Sequence, residues 1–134
     1  MRFLPSIILL WFLFFNPFEV YTQNYFFKDY GLEEGLPNTQ LHDILQAKDN
    51  TLWITSAYGV IQFDGKEFTS FTKDNGLCSN QIISVFEDSK GRIWCGSWQY
   101  DGVSIIENGK VRNPTDPLFK KIRGVMVSAF EDQE

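Results

Sequence analysis

Four consecutive residues, Trp98-Gln99-Tyr100-Asp101, concentrate recognition chemistry in this chain. Two aromatic faces flank an amide, and a carboxylate closes the run, which is the make-up of a ligand or partner surface. The plain alternative is a decorated loop without a partner. Trp53 and Trp94 also offer faces of the kind that stack on sugars, but a core role suits them better. Glu33-Glu34 and Glu131-Asp132 are paired carboxylates, the currency of general acid and base catalysis. Both pairs fall at turns, where solvated side chains are ordinary. His42 stands between Leu41 and Asp43 and reads as a surface or turn histidine. Cys78 and Cys95 allow one disulfide; the plain reading is two unpaired, small apolar side chains. Two cysteines and one histidine are too few for a metal site. There is no nucleophile–base arrangement, glycine-rich phosphate loop or paired histidine. Neither catalysis within this chain nor a cofactor is expected.

Composition narrows the class further. The net charge is −5, and removing Arg2 and Glu19 with a leader leaves it unchanged. An acidic chain without a Lys/Arg stripe lacks the electrostatic footprint of nucleic-acid binding. No polybasic run suggests attraction to a membrane surface. Aromatic residues make up 16% of the 134 residues, a share that suits strands, where such rings pack on a pleated surface.

The elements that would hold these residues repeat. Asp88-Ser89-Lys90-Gly91-Arg92-Ile93-Trp94-Cys95-Gly96-Ser97 is a polar tight turn followed by a β-prone run, and Ala47 to Ser56 has the same form. The two tryptophans, Trp53 and Trp94, are 41 positions apart. Ser128-Ala129-Phe130-Glu131-Asp132 echoes Ser84-Val85-Phe86-Glu87-Asp88, so a third copy begins near the end. A period of roughly 40–50 residues with several short strands per unit marks a blade array.

In chain order, residues 1–23 read as a secretory leader. Arg2 supplies the positive start, and Phe3 to Phe15 is an apolar run too short to span a bilayer comfortably. Cleavage near Gln23 is expected, with an uncleaved signal anchor as the rival. Tyr25 to Tyr30 reads as a short aromatic strand, because Phe27 and Tyr30 match Phe68 and Phe71 at the same offset. In a closed ring such a leading strand could complete the last blade and remove exposed edges. The first full unit has a turn at Gly35-Leu36, strands around Leu41–Leu45, Leu52–Ile54 and Gly59–Phe63, and a hairpin at Asp64-Gly65 with φ > 0 at both turn residues. Glu67 to Phe71 is its fourth strand. The second unit repeats the course from Gly76-Leu77 through Ile82–Phe86, Arg92–Ser97 and Gly102–Ile106 to a hairpin at Asn108-Gly109. It departs by two inserted residues between Trp98 and Asp101. Gly35, Leu36, Gly59, Gly65, Gly76, Leu77, Gly91, Gly96, Gly102 and Gly109 join the two tryptophans as structural repeat positions.

These residues resemble the two-component regulator propeller repeat. The match runs through Gly76, Leu77 and Asn80, then Glu87, Asp88 and Gly91, then Ile93, Trp94, Gly96, Gly102 and Val103. The first copy departs at Asn50 and Thr55, where the pattern prefers glycine; asparagine tolerates the left-handed turn. Ser56 and Ser97 replace its usual threonine. The resemblance implies an all-β, incomplete β-propeller: two four-stranded antiparallel blades, an N-terminal closing strand and the start of a third blade, preceded by a helical signal segment. The expected boundaries are 1–23 for the leader and 24–134 for the partial propeller. Within the latter, 24–31 is the closing strand, 35–71 the first blade, 76–112 the second, and 113–134 a linker and the start of a third. Fewer than three full repeats seldom stand alone, so the stretch by itself is expected to associate or fold incompletely.

The resemblance also implies a function. Similar proteins are extracytoplasmic sensors of Gram-negative bacteria, with output through a histidine kinase, a phosphatase or a DNA-binding domain. The expected role is therefore ligand sensing on the periplasmic side of the inner membrane, relayed to an output absent from this chain. The expected partners are an extracytoplasmic ligand, an oligosaccharide among the candidates, the remaining blades of a full-length protein, and a second copy in the full-length sensor. A cell-surface scaffold for protein or carbohydrate binding is the first alternative. A fragment of a polysaccharide-active propeller enzyme is the second.

Overall fold

In the computed structural model, residues 25–98 and 102–116 are described. The leader, Gln99 to Asp101 and the expected third-blade start at Val125 to Phe130 lie outside them. Eight strands form two sheets. β1 (Leu41–Gln46), β2 (Leu52–Ser56), β3 (Gly59–Phe63) and β4 (Phe68–Phe71) make one. β5 (Ile82–Glu87), β6 (Ile93–Ser97), β7 (Val103–Glu107) and β8 (Lys110–Arg112) make the other. Each sheet is a meander with strands in chain order and all pairs antiparallel. These are two blades of an incomplete propeller.

The turns explain why the units keep one register. After β1, the Ala47 amide donates to the Thr51 carbonyl and Asn50 to Ala47; after β5, Asp88 donates to Arg92 and Gly91 to Asp88. The left-handed residue is Asn50 at φ 68° in the first copy and Gly91 at φ 73° in the second. The connection ahead of each blade repeats too. The Leu36 amide reaches back to the Gly31 carbonyl and that of Leu77 to Thr72. A side chain locks each: the Glu34 carboxylate accepts from the Gly31 amide at 2.7 Å, and Asn75 Oδ1 accepts from the Thr72 amide at 2.9 Å. Glu34 is thus a turn-locking acceptor.

Two expectations need correction. Asn108-Gly109 forms the two-residue hairpin with both residues at positive φ, but Asp64-Gly65 does not. Only Gly65 is left-handed there, and Phe63 pairs with Phe68 across a four-residue loop. The Asp64 carboxylate accepts the Lys66 and Glu67 amides, both at 2.8 Å, and those bonds widen the turn. Tyr25 to Tyr30 lies detached from both sheets but forms no strand. It has no ladder partner in either sheet; instead Tyr30 packs edge-on against Phe63 and Phe68.

The core lies at the seam between blades. Trp53, Val60 and Phe71 from the first blade meet Ile82, Ile93, Cys95 and Ile106 from the second, with Leu77 of the connection among them. Backbone and side-chain bonds cross the same seam. The Val85 amide donates to Asp43 Oδ2 at 3.2 Å, the Lys48 amide to Glu87 Oε2 at 2.9 Å, and Lys48 Nζ to the Asp88 carbonyl at 3.2 Å. A smaller cluster of Leu36, Ile54, Ile61 and Phe68 covers the other face of the first blade. Leu36 and Leu77 therefore do the same thing, each capping one face of the blade that follows it.

Candidate functional site

In a four-stranded meander, the β2–β3 loop and the connection to the next blade share one end of the sheet. The β1–β2 and β3–β4 hairpins share the other. Trp98 at the end of β6, the Ala57 turn after β2 and the connection ending at Gln81 accordingly meet at one end. There a cleft of about 250 Å³ opens, lined by His42, Ala57, Gln81 and Trp98. Gln40 and Gln81 are repeat equivalents, as are Ala57 and Trp98. In the first copy the Ala57 amide donates to the Gln40 carbonyl, and in the second the Trp98 amide donates to Gln81 at 2.9 Å. The cleft is thus the place where two copies of one loop closure face each other across the seam.

His42 gains its position from a β-bulge. Leu41 pairs with Ser56 and Asp43 with Thr55, so His42 is the extra residue. The second blade has the same irregularity between Ile82 and Ser84. Bulges re-aim side chains, and here the imidazole Nδ1 bonds the Ile82 carbonyl of the other blade at 2.8 Å. A carbonyl only accepts, so Nδ1 donates in this bond. His42 is exposed, in keeping with its surface reading, and stands on the bulged β1 beside the cleft.

Of the sequence candidates, Trp98 lies in the cleft wall and is 57% exposed. Gln99, Tyr100 and Asp101 fall outside the described residues. Exposed, with Ala57 opposite and two polar side chains beside it, the Trp98 indole can take a small apolar face while His42 and Gln81 take hydrogen bonds. Sequence reasoning missed His42, Ala57 and Gln81. Their signal was the 41-residue offset itself, which pairs the residues flanking the insertion with Gln40 and Ala57. Among the described residues, no group of three His, Cys, Asp or Glu is placed to hold a metal.

Trp53 and Trp94 take different places. Trp53 is buried at the seam, its ring 5.7 Å from that of Phe71. Trp94 points to the opposite face of its sheet from Ile93 and Cys95 and is half-buried. Its indole N–H donates to Asp88 Oδ2 at 2.8 Å, and the Arg92 guanidinium sits 5.4 Å over the ring. Asp88 also takes the Lys90 and Arg92 amides and the Arg92 side chain. Burial alone would raise the Asp88 pKa, but the bonds from Trp94, Arg92 and Lys90 outweigh it and bring the carboxyl down to about 2.

Residues 76–99 match the family model described as Two component regulator propeller. No curated protein matches the chain. The matched stretch starts at the left-handed Gly76, runs through β5 and β6, and takes in both Gln81 and Trp98 of the cleft. The second blade thus carries the two component regulator propeller repeat.

Proposed function

We propose that this chain is the ligand-sensing part of an extracytoplasmic two-component sensor, exported by its leader and acting without catalysis of its own. Its output, a histidine kinase or another signalling domain, lies outside this chain. The cleft at the blade seam is the place where a ligand enters, and Trp98 is its stacking surface. One observation carries the reading: the repeat-breaking insertion begins at an exposed tryptophan that lines a cleft between two blades of a two component regulator propeller. A rigid sheet scaffold that presents a variable loop is the usual arrangement of a recognition site. A ligand seated there would touch both blades at once, so its binding free energy would bear on how the blades sit against each other.

The test is made in the host cell. Trp98→Ala, placed in the chromosomal gene, should abolish the transcriptional response to one class of extracellular compound, with oligosaccharides tried first. The protein level should not change, since the side chain is exposed. A transcriptional profile indistinguishable from the parent strain under every compound that triggers a response would overturn the proposal.

A further inference from the structure

We propose that Cys78 and Cys95 are a dithiol–disulfide pair that braces the wall of the cleft formed by Gln81 and Trp98. Both are free thiols in this structure. Their placement is set by one shared neighbour, Ser104. The Cys78 amide donates to Ser104 Oγ at 2.9 Å. Cys95 stands directly opposite Ser104 in the β6–β7 ladder. Residues opposite in an antiparallel pair put their side chains on one face, with Cβ atoms about 4.5–5.5 Å apart. Cys78 and Cys95 thus lie on the same face of the second blade, against the same side chain. A disulfide spans Cα atoms about 4.4–6.8 Å apart.

The surroundings hold the pair in register. Ser104 Oγ donates to Asn113 Oδ1 at 2.7 Å, and Asn113 Nδ2 donates to the Gly76 carbonyl at 3.0 Å. Gly76 and Cys78 are therefore both tied to the face that carries Cys95. Between them, Leu77 sits in the core cluster with Cys95 itself. In the first blade, Pro37 and Ile54 occupy the equivalent positions, and Leu36 packs on Ile54 in the same way. The second blade carries cysteine at both places.

The two thiols have different tasks. Cys95 is fully buried; burial pushes its pKa up, and the Cys78 thiol beside it pushes in the same direction. Cys78 is partly exposed and makes the first contact with an oxidant. Its thiolate attacks a disulfide of a thiol–disulfide oxidoreductase or of oxidised glutathione, forming a mixed disulfide and expelling one thiolate. The Cys95 thiol then attacks the Cys78 sulfur, and its proton goes to the second thiolate as that thiolate departs. Two thiols lose two protons and two electrons, and the donor disulfide becomes two thiols. Gln81 follows Cys78 by three residues, and Trp98 follows Cys95 by three. The Trp98 amide already bonds the Gln81 carbonyl. The new bond would close a ring of residues 78–81 and 95–98 whose other link is that hydrogen bond. This inference is independent of what the cleft binds.

The full chain is equilibrated in reduced and oxidised glutathione, in native buffer and again in guanidinium, then alkylated and peptide-mapped. The expected result is an intramolecular Cys78–Cys95 disulfide whose ratio to the dithiol is about tenfold or more higher in native buffer than in denaturant. Cys78→Ser, at a partly exposed site, should abolish the bond without altering the circular dichroism spectrum. An equal or lower ratio in native buffer, or bridges formed only between chains, would overturn the inference.

Discussion

The two blades share a register and differ in what stands beside them. Trp53 and Trp94 occupy the same place in β2 and β6, yet Trp53 is buried at the seam and Trp94 is half-buried. The first blade has Ala47 where the second has Asp88, and Thr51 where it has Arg92. Trp53 is thus held by packing against Phe71 and the neighbouring blade, whereas Trp94 is held by a carboxylate and a guanidinium of its own blade. The repeat therefore dictates backbone and register, while the neighbour decides whether an equivalent side chain is core.

The largest effects are expected on truncating the two tryptophans. Trp53→Ala should destabilise the chain by about 3–5 kcal/mol, the range for a buried large aromatic. Trp94→Ala should cost about 1–2 kcal/mol, since less apolar surface leaves water there. Equal losses in chemical denaturation would show that the seam is not where the structure places it. Next come two equivalent glycines. Gly59 has φ +124°, and a Cβ there would lie 2.1 Å from the Phe71 carbonyl oxygen; Gly102 has φ +99° with nothing within 4 Å of its Cβ position among the described residues. Gly59→Ala should cost about 3 kcal/mol or more, from backbone strain plus overpacking, and Gly102→Ala about 1–2 kcal/mol from strain alone.

Acid separates the blades on another axis. The Asp88 pKa is depressed from 3.8 to about 2 in the folded state. Its stabilisation is therefore fully present above the unfolded pKa and is lost as pH falls from about 4 through about 2. The loss should be about 2 kcal/mol. Asp88→Asn should flatten that part of the stability–pH curve; a curve unchanged in the variant would detach Asp88 from Trp94 and Arg92. The smallest effect concerns Thr55, whose place in the second blade is taken by Gly96. Its hydroxyl is fully buried with no hydrogen-bond partner among the described residues. Thr55→Val removes an unsatisfied group at nearly constant volume and should stabilise by about 1 kcal/mol. A measured destabilisation would indicate a partner for that oxygen in solution.

Most of the sheet architecture was legible in the sequence because each feature is local. Strand positions followed from the 41-residue spacing of Trp53 and Trp94. Asn108-Gly109 was readable as a tight hairpin because its two residues take positive φ without help. Asp64-Gly65 misled because its carboxylate binds the amides of Lys66 and Glu67, an option the dipeptide alone does not reveal. The Tyr25 to Tyr30 segment has strand composition but pairs with neither sheet, and pairing is not encoded in the segment itself. The cleft was half legible. The insertion flagged Trp98, but His42 reaches it through a bulge and a bond to Ile82, a contact spanning 40 residues that only the packing of two blades creates.

Hydrogen exchange read by mass spectrometry reports on that packing. Ile82 is fully buried at the seam and belongs to the second blade. Ile82→Ala changes no residue of the first blade. If the seam is the core of the molecule, the substitution should speed exchange in β2 and β3 as well as in β5 and β6, by a similar factor, because both sheets lose the same support. Accelerated exchange confined to β5 and β6, with β2 and β3 unchanged, would contradict the account and leave two sheets that fold without each other.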